Sequence, residues 1–562
     1  MTQLSPTLDA TDWSALEPLY GELLARPLRC AGCVESLLLD RSELDAFVAE
    51  TAANLYIEMT CHTDDEARRR AYLAFVEEVE PKLRQVGFEL DRRIVEAPPA
   101  ADLDAQRFGV LLRDLRCGVE LFRPENIPLQ TELTTLDQRY SAIAGAQTVQ
   151  FDGAERTLAQ MLRYQEEPDR ALRDAAWRAV AERRLADRDA IDRIMDRMLD
   201  LRHEMAVNAG FRDFRDFQHR RLLRFDYTPR DCERFHESVA ACCVPLARRL
   251  DRQRAAALGV DPLRPWDLAV DVEGRPPLRP FEGAEELVAR TSTIFHRMRP
   301  SLGAMFDELR GGAALDLESR AGKAPGGYQY QRQHSRRPFI FMNASGLHRD
   351  VVTMVHEAGH AFHSTLSRDE PLLHYRSAPI EFSEVASMGM ELLVLPWLGA
   401  FYDRDEDVRR ATRVLFEDLV GKLGWIAQID AFQHWIHVHA GHSRSERDDA
   451  WVALDRRFGH AIDWSGIEEP RRALWQKQLH LFGVPFYYIE YGIAQLGALQ
   501  LWRCARRDPE ATLDAYERAL ALGGSRPLPA LFEAAGIRFD LSEPLVGELM
   551  EEVEAELEPG AV

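Results

Sequence analysis

The chain has 562 residues, 46% of them hydrophobic and 29% charged, and 92 acidic against 70 basic side chains give it a net charge of −22. That length and composition supply the cores of two or more lobes and mark a soluble globular protein. The acidic excess argues against a nucleic-acid partner and against an anionic membrane surface.

Residues Met1 to Arg29 mix acids with scattered apolar residues and lack a basic start followed by an apolar run, so no signal peptide is expected. The most apolar stretch, Met390 to Tyr402, is broken by Pro396 and is too short to span a bilayer. A cytoplasmic location is the default expectation. Cys30 and Cys33 form a lone C-x-x-C, and adjacent Cys242 and Cys243 do not suit one tetrahedral site. All 8 cysteines are therefore expected to be reduced and structural.

From Asp12 to about Asp200 the sequence reads as successive amphipathic helices, as in Asp64 to Val86 and Pro168 to His203, with Arg/Glu pairs at helical spacing. Strand-like alternation is scarce and no catalytic cluster appears. An N-terminal helical lobe over 1–200 is predicted, followed by a catalytic domain over 201–562. Pro, Gly and Asp concentrate in Gly259 to Pro280, a long connection expected to pack through Trp266. Two short strand candidates, Gly326 to Gln331 and Phe339 to Asn343, flank His334 to Pro338 and lead into the next helix. An edge strand beside a reactive centre can hold an extended peptide by main-chain hydrogen bonds. Gly326, Tyr328, Phe341 and Asn343 are the candidate substrate contacts.

That next helix carries His356-Glu357-Ala358-Gly359-His360. Val351, Val355, Ala358 and Phe362 form an apolar stripe, with Asp350 placed as the N-cap. Residues four apart share a helix face, so His356 and His360 can offer nitrogens to one ion. In H-E-x-x-H the two His hold zinc and the Glu is the general base for a water that the metal activates. A catalytic zinc site takes three protein ligands. His363 is about 10 Å along the axis from His356 at about 1.5 Å per residue, too far to share the ion. Arg368 to Arg376 reads as a connector, and a second helix is expected from about Pro379 to Leu395. If the pair forms an antiparallel hairpin, the residues facing His356 and His360 fall near 386–390. Glu384 becomes the leading third ligand, and Glu391, one face with it, a partner that could orient a ligand His.

These residues, with Glu381-Phe382-Ser383-Glu384-Val385-Ala386-Ser387, resemble the oligoendopeptidase F and thimet oligopeptidase family of zinc metallopeptidases, with a Pz-peptidase-like branch left open. In that family the third ligand is the Glu of a Glu-x-x-Ser element, and Glu384 matches it. Arg202 to Thr228, Pro265 to Leu268, and Asp430 to Trp435 look like further landmarks. The resemblance implies a mainly α fold, with two helical lobes flanking a deep substrate channel and a small β-sheet next to the zinc-binding helix. It implies one zinc ion per chain and short peptide substrates. The oligomeric state is left open.

A peptidase also needs donors for the oxyanion of the tetrahedral intermediate. His480, Tyr488 and Tyr491 lie in a late aromatic segment, where Gly483 and Pro485 end one helix and start another. The resemblance assigns them this role, without choosing between the tyrosines. His434, His437, His439 and His442 form a second His-rich stretch without an obvious metal partner, expected to be structural or on the surface, with His434 nearest the cleft. Two other functions stay open: a zinc carboxypeptidase or dipeptidyl carboxypeptidase, and an inactive peptide-binding protein of the same fold. Glu357 argues against the second, because binding alone needs no general base.

Overall fold

Apolar residues recur at three- and four-residue spacing through most of the sequence, and helices follow from it. In Ala31–Cys61, for example, Val34, Leu37, Leu38, Leu44 and Val48 are buried along one face. The computed structural model describes residues 8–312 and 314–558. It is mainly helical, with two small sheets among the described residues. No described helix is long and apolar enough to cross a membrane.

The chain divides into two compact units, each drawn from separate stretches of sequence. The first combines Met1–Glu120, Leu278–Ala411 and Gly497–Phe539, and the second Leu121–Pro277, Thr412–Leu496 and Asp540–Val562. In the first, a core around Leu16, Leu37, Leu90, Ile94 and Phe108 ties the early helices together and takes in Tyr375. The Tyr375 hydroxyl donates to the Arg107 carbonyl at 2.8 Å and accepts from the Leu111 N–H at 3.0 Å. Cys30 and Cys33 are joined in a disulfide at the start of Ala31–Cys61, contrary to the expectation of eight reduced cysteines. Proximity at a helix N-terminus decides this pairing, and cysteine counting does not see it.

The sheet of the first unit has three strands. Arg337–Ala344 is central, Tyr328–Arg332 pairs with it antiparallel, and Leu315–Glu318 pairs parallel on the other side. The two later strands match the predicted hairpin, and the parallel strand was not anticipated. Pro338 to Met342 are all buried because the central strand is covered on both faces. From Ala344 the chain turns through Ser345 and Gly346 into the helix His348–Leu366. Asp350 is not its N-cap. It lies in the first turn and reaches back, accepting from the N–H groups of Ser345 at 2.7 Å and Leu347 at 2.9 Å.

His348–Leu366 packs on Ile380–Leu393 as the expected helical hairpin. Gly359 sets how closely they approach: a Cβ there would lie 2.6 Å from the Ala386 carbonyl oxygen and 2.7 Å from Ser387 Cα. Both are backbone atoms, so only separation of the helices could relieve the clash. Gly359→Ala is expected to cost about 1–3 kcal/mol of stability and to loosen whatever the two helices hold jointly. Denaturant unfolding measures the first effect and metal retention the second.

In the second unit a core of Leu133, Met195, Met198, Phe432, Trp451 and Trp475 joins its longer helices. Trp266 is buried beside Trp464 and Trp177. Asp267, fully buried, pairs with Arg170 at 2.8 Å and Arg173 at 3.0 Å, which anchors the Gly259 to Pro280 connection. A short hairpin, Thr148–Phe151 with Ala154–Thr157, interrupts the helices where no strand was predicted. Asp152 and Gly153 turn it with positive φ.

Candidate active site

Two helices of the first unit supply the metal-binding candidates. His356 and His360 are one turn apart on His348–Leu366, their ring centroids 5.0 Å apart and nearly perpendicular. From Ile380–Leu393, Glu384 Oε2 reaches to 3.5 Å from His356 Nε2 and 3.8 Å from His360 Nε2. A tetrahedral ion with bonds of about 2.0–2.1 Å needs donors roughly 3.3 Å apart. The two distances to Glu384 are within about half an ångström of that value, and all three donors lie within 4.8 Å of one another. Two imidazoles and a carboxylate are a donor set that catalytic zinc takes with a fourth position left open. The residues fit the group.

Each donor is held from behind. Glu391 Oε1 lies 2.6 Å from His356 Nδ1, which fixes that ring with Nε2 toward Glu384. The His360 ring hydrogen-bonds the Ser383 carbonyl. Ser387 Oγ donates to Glu384 Oε2 at 3.0 Å.

The pocket is built for positive charge. Burial pulls the His356 imidazolium down, but Glu391, Glu384 and Glu357 outweigh it and hold it up at about 9. Burial pushes Glu384 up from the ordinary carboxylate range, against His356 and Ser387. Burial holds His360 well below its usual value, with His356 adding to the effect. Glu357 is 7% exposed. Burial raises its carboxyl to about 7, with His356 opposing, and the Gln329 N–H donates to it.

That N–H belongs to the outer strand of the sheet, so the strand and Glu357 are in direct contact. Gly327 runs close as well, where a Cβ would be 3.9 Å from Glu357 Oε1. The four candidate substrate residues have distinct environments. Tyr328 stacks on Phe341 at 4.7 Å, and its hydroxyl is 2.6 Å from Thr60 Oγ1. Phe341 is fully buried and paired on both sides, to Asp316 and Tyr328. Asn343 Nδ2 donates to the carbonyls of Ala324 at 2.8 Å and Gly326 at 2.9 Å, shaping the loop ahead of the outer strand. Gly326 takes φ 99° in that loop. His363 is buried against Phe382 and is not among the converging donors.

In the second unit His480, Tyr488 and Tyr491 form their own cluster. The His480 ring centroid is 4.9 Å from Tyr488 and 6.1 Å from Tyr491. The Gln478 amide donates to His480 Nδ1 at 2.7 Å, and burial lowers the His480 pKa and raises that of Tyr488. Two of the sequence landmarks brace this segment. Arg202, buried, donates to the carbonyls of Leu481 at 3.0 Å and of Phe482. Gln433 accepts from the Phe486 N–H. Sequence reasoning missed Gln329, Gly327 and Ser383. Gln329 and Ser383 act through backbone groups and Gly327 through the room it leaves, so side-chain chemistry gave no signal.

The family model described as Peptidase family M3 matches residues 163–551. An oligoendopeptidase F homolog of Borreliella burgdorferi is 23% identical over 225 residues, which cover 39% of this chain and 37% of that protein. The chain spans little more than a third of the length of the curated relatives it matches first, 37% and 34%. Among solved structures, Pz peptidase A with an inhibitor superimposes with a TM-score of 0.90 at 26% identity, covering 98% of both chains. A structure assigned as oligoendopeptidase F gives 0.89 at 26% identity, again over 98% of each chain.

Proposed function

The chain belongs to peptidase family M3, and on that premise we propose that it is a zinc-dependent oligoendopeptidase that cleaves internal bonds of short, unstructured peptides. The observation that carries this reading is the convergence of His356, His360 and Glu384, with donor atoms within 4.8 Å of one another, beside the buried carboxyl of Glu357. Bound there, zinc would supply Lewis-acid polarisation of a water and of the scissile carbonyl.

The chain's own residues do the rest. Glu357 takes a proton from the attacking water and delivers it to the leaving amine. Glu391 and the Ser383 carbonyl keep the two imidazoles aimed. The outer strand Tyr328–Arg332 offers main-chain groups to an extended peptide, and the loop at Gly326 to Gly327 leaves room for it beside Glu357. His480 with Tyr488 or Tyr491 donates to the oxyanion. The proposed ligands, base and oxyanion donors all fall within 201–562.

A fluorogenic peptide of about ten residues, blocked at both ends, tests the reading. Internal cleavage is expected, and an amidated C-terminus excludes a strict carboxypeptidase. Zinc-loaded protein that binds varied peptides without cutting them would overturn it. Glu391→Gln weakens the hold on His356 Nδ1 and is expected to lower zinc affinity about 10–100-fold. Chelator competition measures this, and activity should return in excess zinc. An unchanged zinc affinity would remove Glu391 from the proposed centre.

A further inference from the structure

Three helices of the second unit converge on a buried polar cluster that the peptidase chemistry does not use. His219 lies on Phe214–Arg221, Cys232 and His236 on Pro229–Ser238, and Asp430 and His434 one turn apart on Asp405–Val438. The exposures are 4% for His219, 4% for His236, 6% for His434, and 0% for both Cys232 and Asp430. One donor atom from each of His219, Cys232 and His434 lies within 4.8 Å of the others.

The hydrogen-bond accounting does not close. Asp430 Oδ2 lies 2.8 Å from His236 Nε2 and 3.4 Å from His434 Nε2. Asp430 Oδ1, His219 Nδ1 and His434 Nδ1 have no hydrogen-bond partner, and His434 Nε2 has only its long contact with Asp430. His219 Nε2 is 3.4 Å from an Arg224 nitrogen, and Arg224 is itself paired with Glu490 at 2.7 Å. Buried polar atoms in native proteins are almost always satisfied, so several orphans on neighbouring residues call for a partner from outside the chain, an ion or ordered water. Two imidazoles and a thiol with donor atoms this close are a set for a borderline-soft transition ion and a poor one for magnesium or calcium.

We propose that His219, Cys232 and His434 bind a second zinc-class ion, distinct from the one proposed at His356, with Asp430 steadying His434. Metal binding displaces the Cys232 thiol proton to solvent, and thiolate and Asp430 carboxylate together balance the dication. Zinc-bound donors are roughly 3.3–3.6 Å apart, so the ion draws these side chains inward by about an ångström. The site is closed. Phe486 covers it, its ring 5.7 Å from His219 and 5.5 Å from His434, so the ion is structural. It pins three helices together under the turn that precedes Tyr488.

Metal content and cobalt spectroscopy on the full chain test this. The His356 centre contains no sulfur, so a thiolate-to-cobalt charge-transfer band in the near ultraviolet reports the Cys232 cluster alone. Wild type should hold two ions and, reconstituted with cobalt, show the band. His360→Ala should keep one ion and the band, whereas Cys232→Ser should keep one ion and lose the band. A single ion in wild type with no band overturns the proposal, as does a band that survives Cys232→Ser. A band with a single ion upholds the cluster and instead overturns the His356 centre. If Cys232→Ser does not fold, the wild-type spectrum and metal count decide the matter.

Discussion

Glu357→Gln is expected to keep its metal and lose roughly 10²- to 10⁴-fold in kcat, the range for removing a general base. That corresponds to about 3–5 kcal/mol of barrier at 1.36 kcal/mol per decade. The substitution is close to isosteric, and the amide oxygen can still accept from the Gln329 N–H that now meets the carboxylate. Glu357 is not among the three converging donors, so zinc content should match wild type. KM should change little, because the carboxylate's contribution is to proton transfer and not to substrate binding. If the variant instead lost zinc, Glu357 would be a structural element of the metal pocket. If it kept both zinc and turnover, the base would have to be another group and the mechanism would fail at its central step.

The features that the sequence exposes are those written in local spacing. Four-residue separation places His356 and His360 on one face, and a polar connector between two apolar stretches implies the hairpin that brings Glu384 opposite them. The change of period between Gly326 and Gly346 implies the strands ahead of the helix. What it conceals depends on long-range pairing. Leu315–Glu318 is a four-residue strand whose partner follows some twenty positions later, and its parallel pairing has no turn signature. The hairpin around Asp152 is equally short. The assembly of each compact unit from separated stretches leaves no compositional mark either. His434 shows the same limit at the level of a single residue. Along the sequence it has Asp430 and other histidines for company, and the fold brings His219 and Cys232 to it from two other helices. Asp350 fails for a local reason: its carboxylate has two backbone N–H groups within reach outside the helix, and satisfying those moves the helix start ahead of it.

Glu384→Gln is expected to abolish zinc binding at the His356 centre while leaving the metal-free protein as stable as wild type or more so. Zinc gains from Glu384 the charge that the two neutral imidazoles cannot give, and an amide in its place leaves a buried dication less compensated. The loss in zinc affinity should therefore exceed the roughly 10–100-fold expected for an orienting partner such as Glu391. Stability runs the other way. Burial raises the Glu384 pKa above the ordinary carboxylate value, which means that the folded metal-free protein disfavours the charged form. A neutral amide removes that penalty and can still accept from Ser387 Oγ. A ligand of the native state contributes about 4 kcal/mol when present at a thousand times its Kd, so at the same zinc concentration the rise in melting temperature should be smaller in Glu384→Gln than in wild type by the share that the His356 centre contributes. A residue kept for packing alone would give the opposite pattern, a lower metal-free melting temperature with the zinc-dependent rise intact. Thermal melts of both proteins with and without zinc therefore separate a carboxylate held for the metal from one held for the fold.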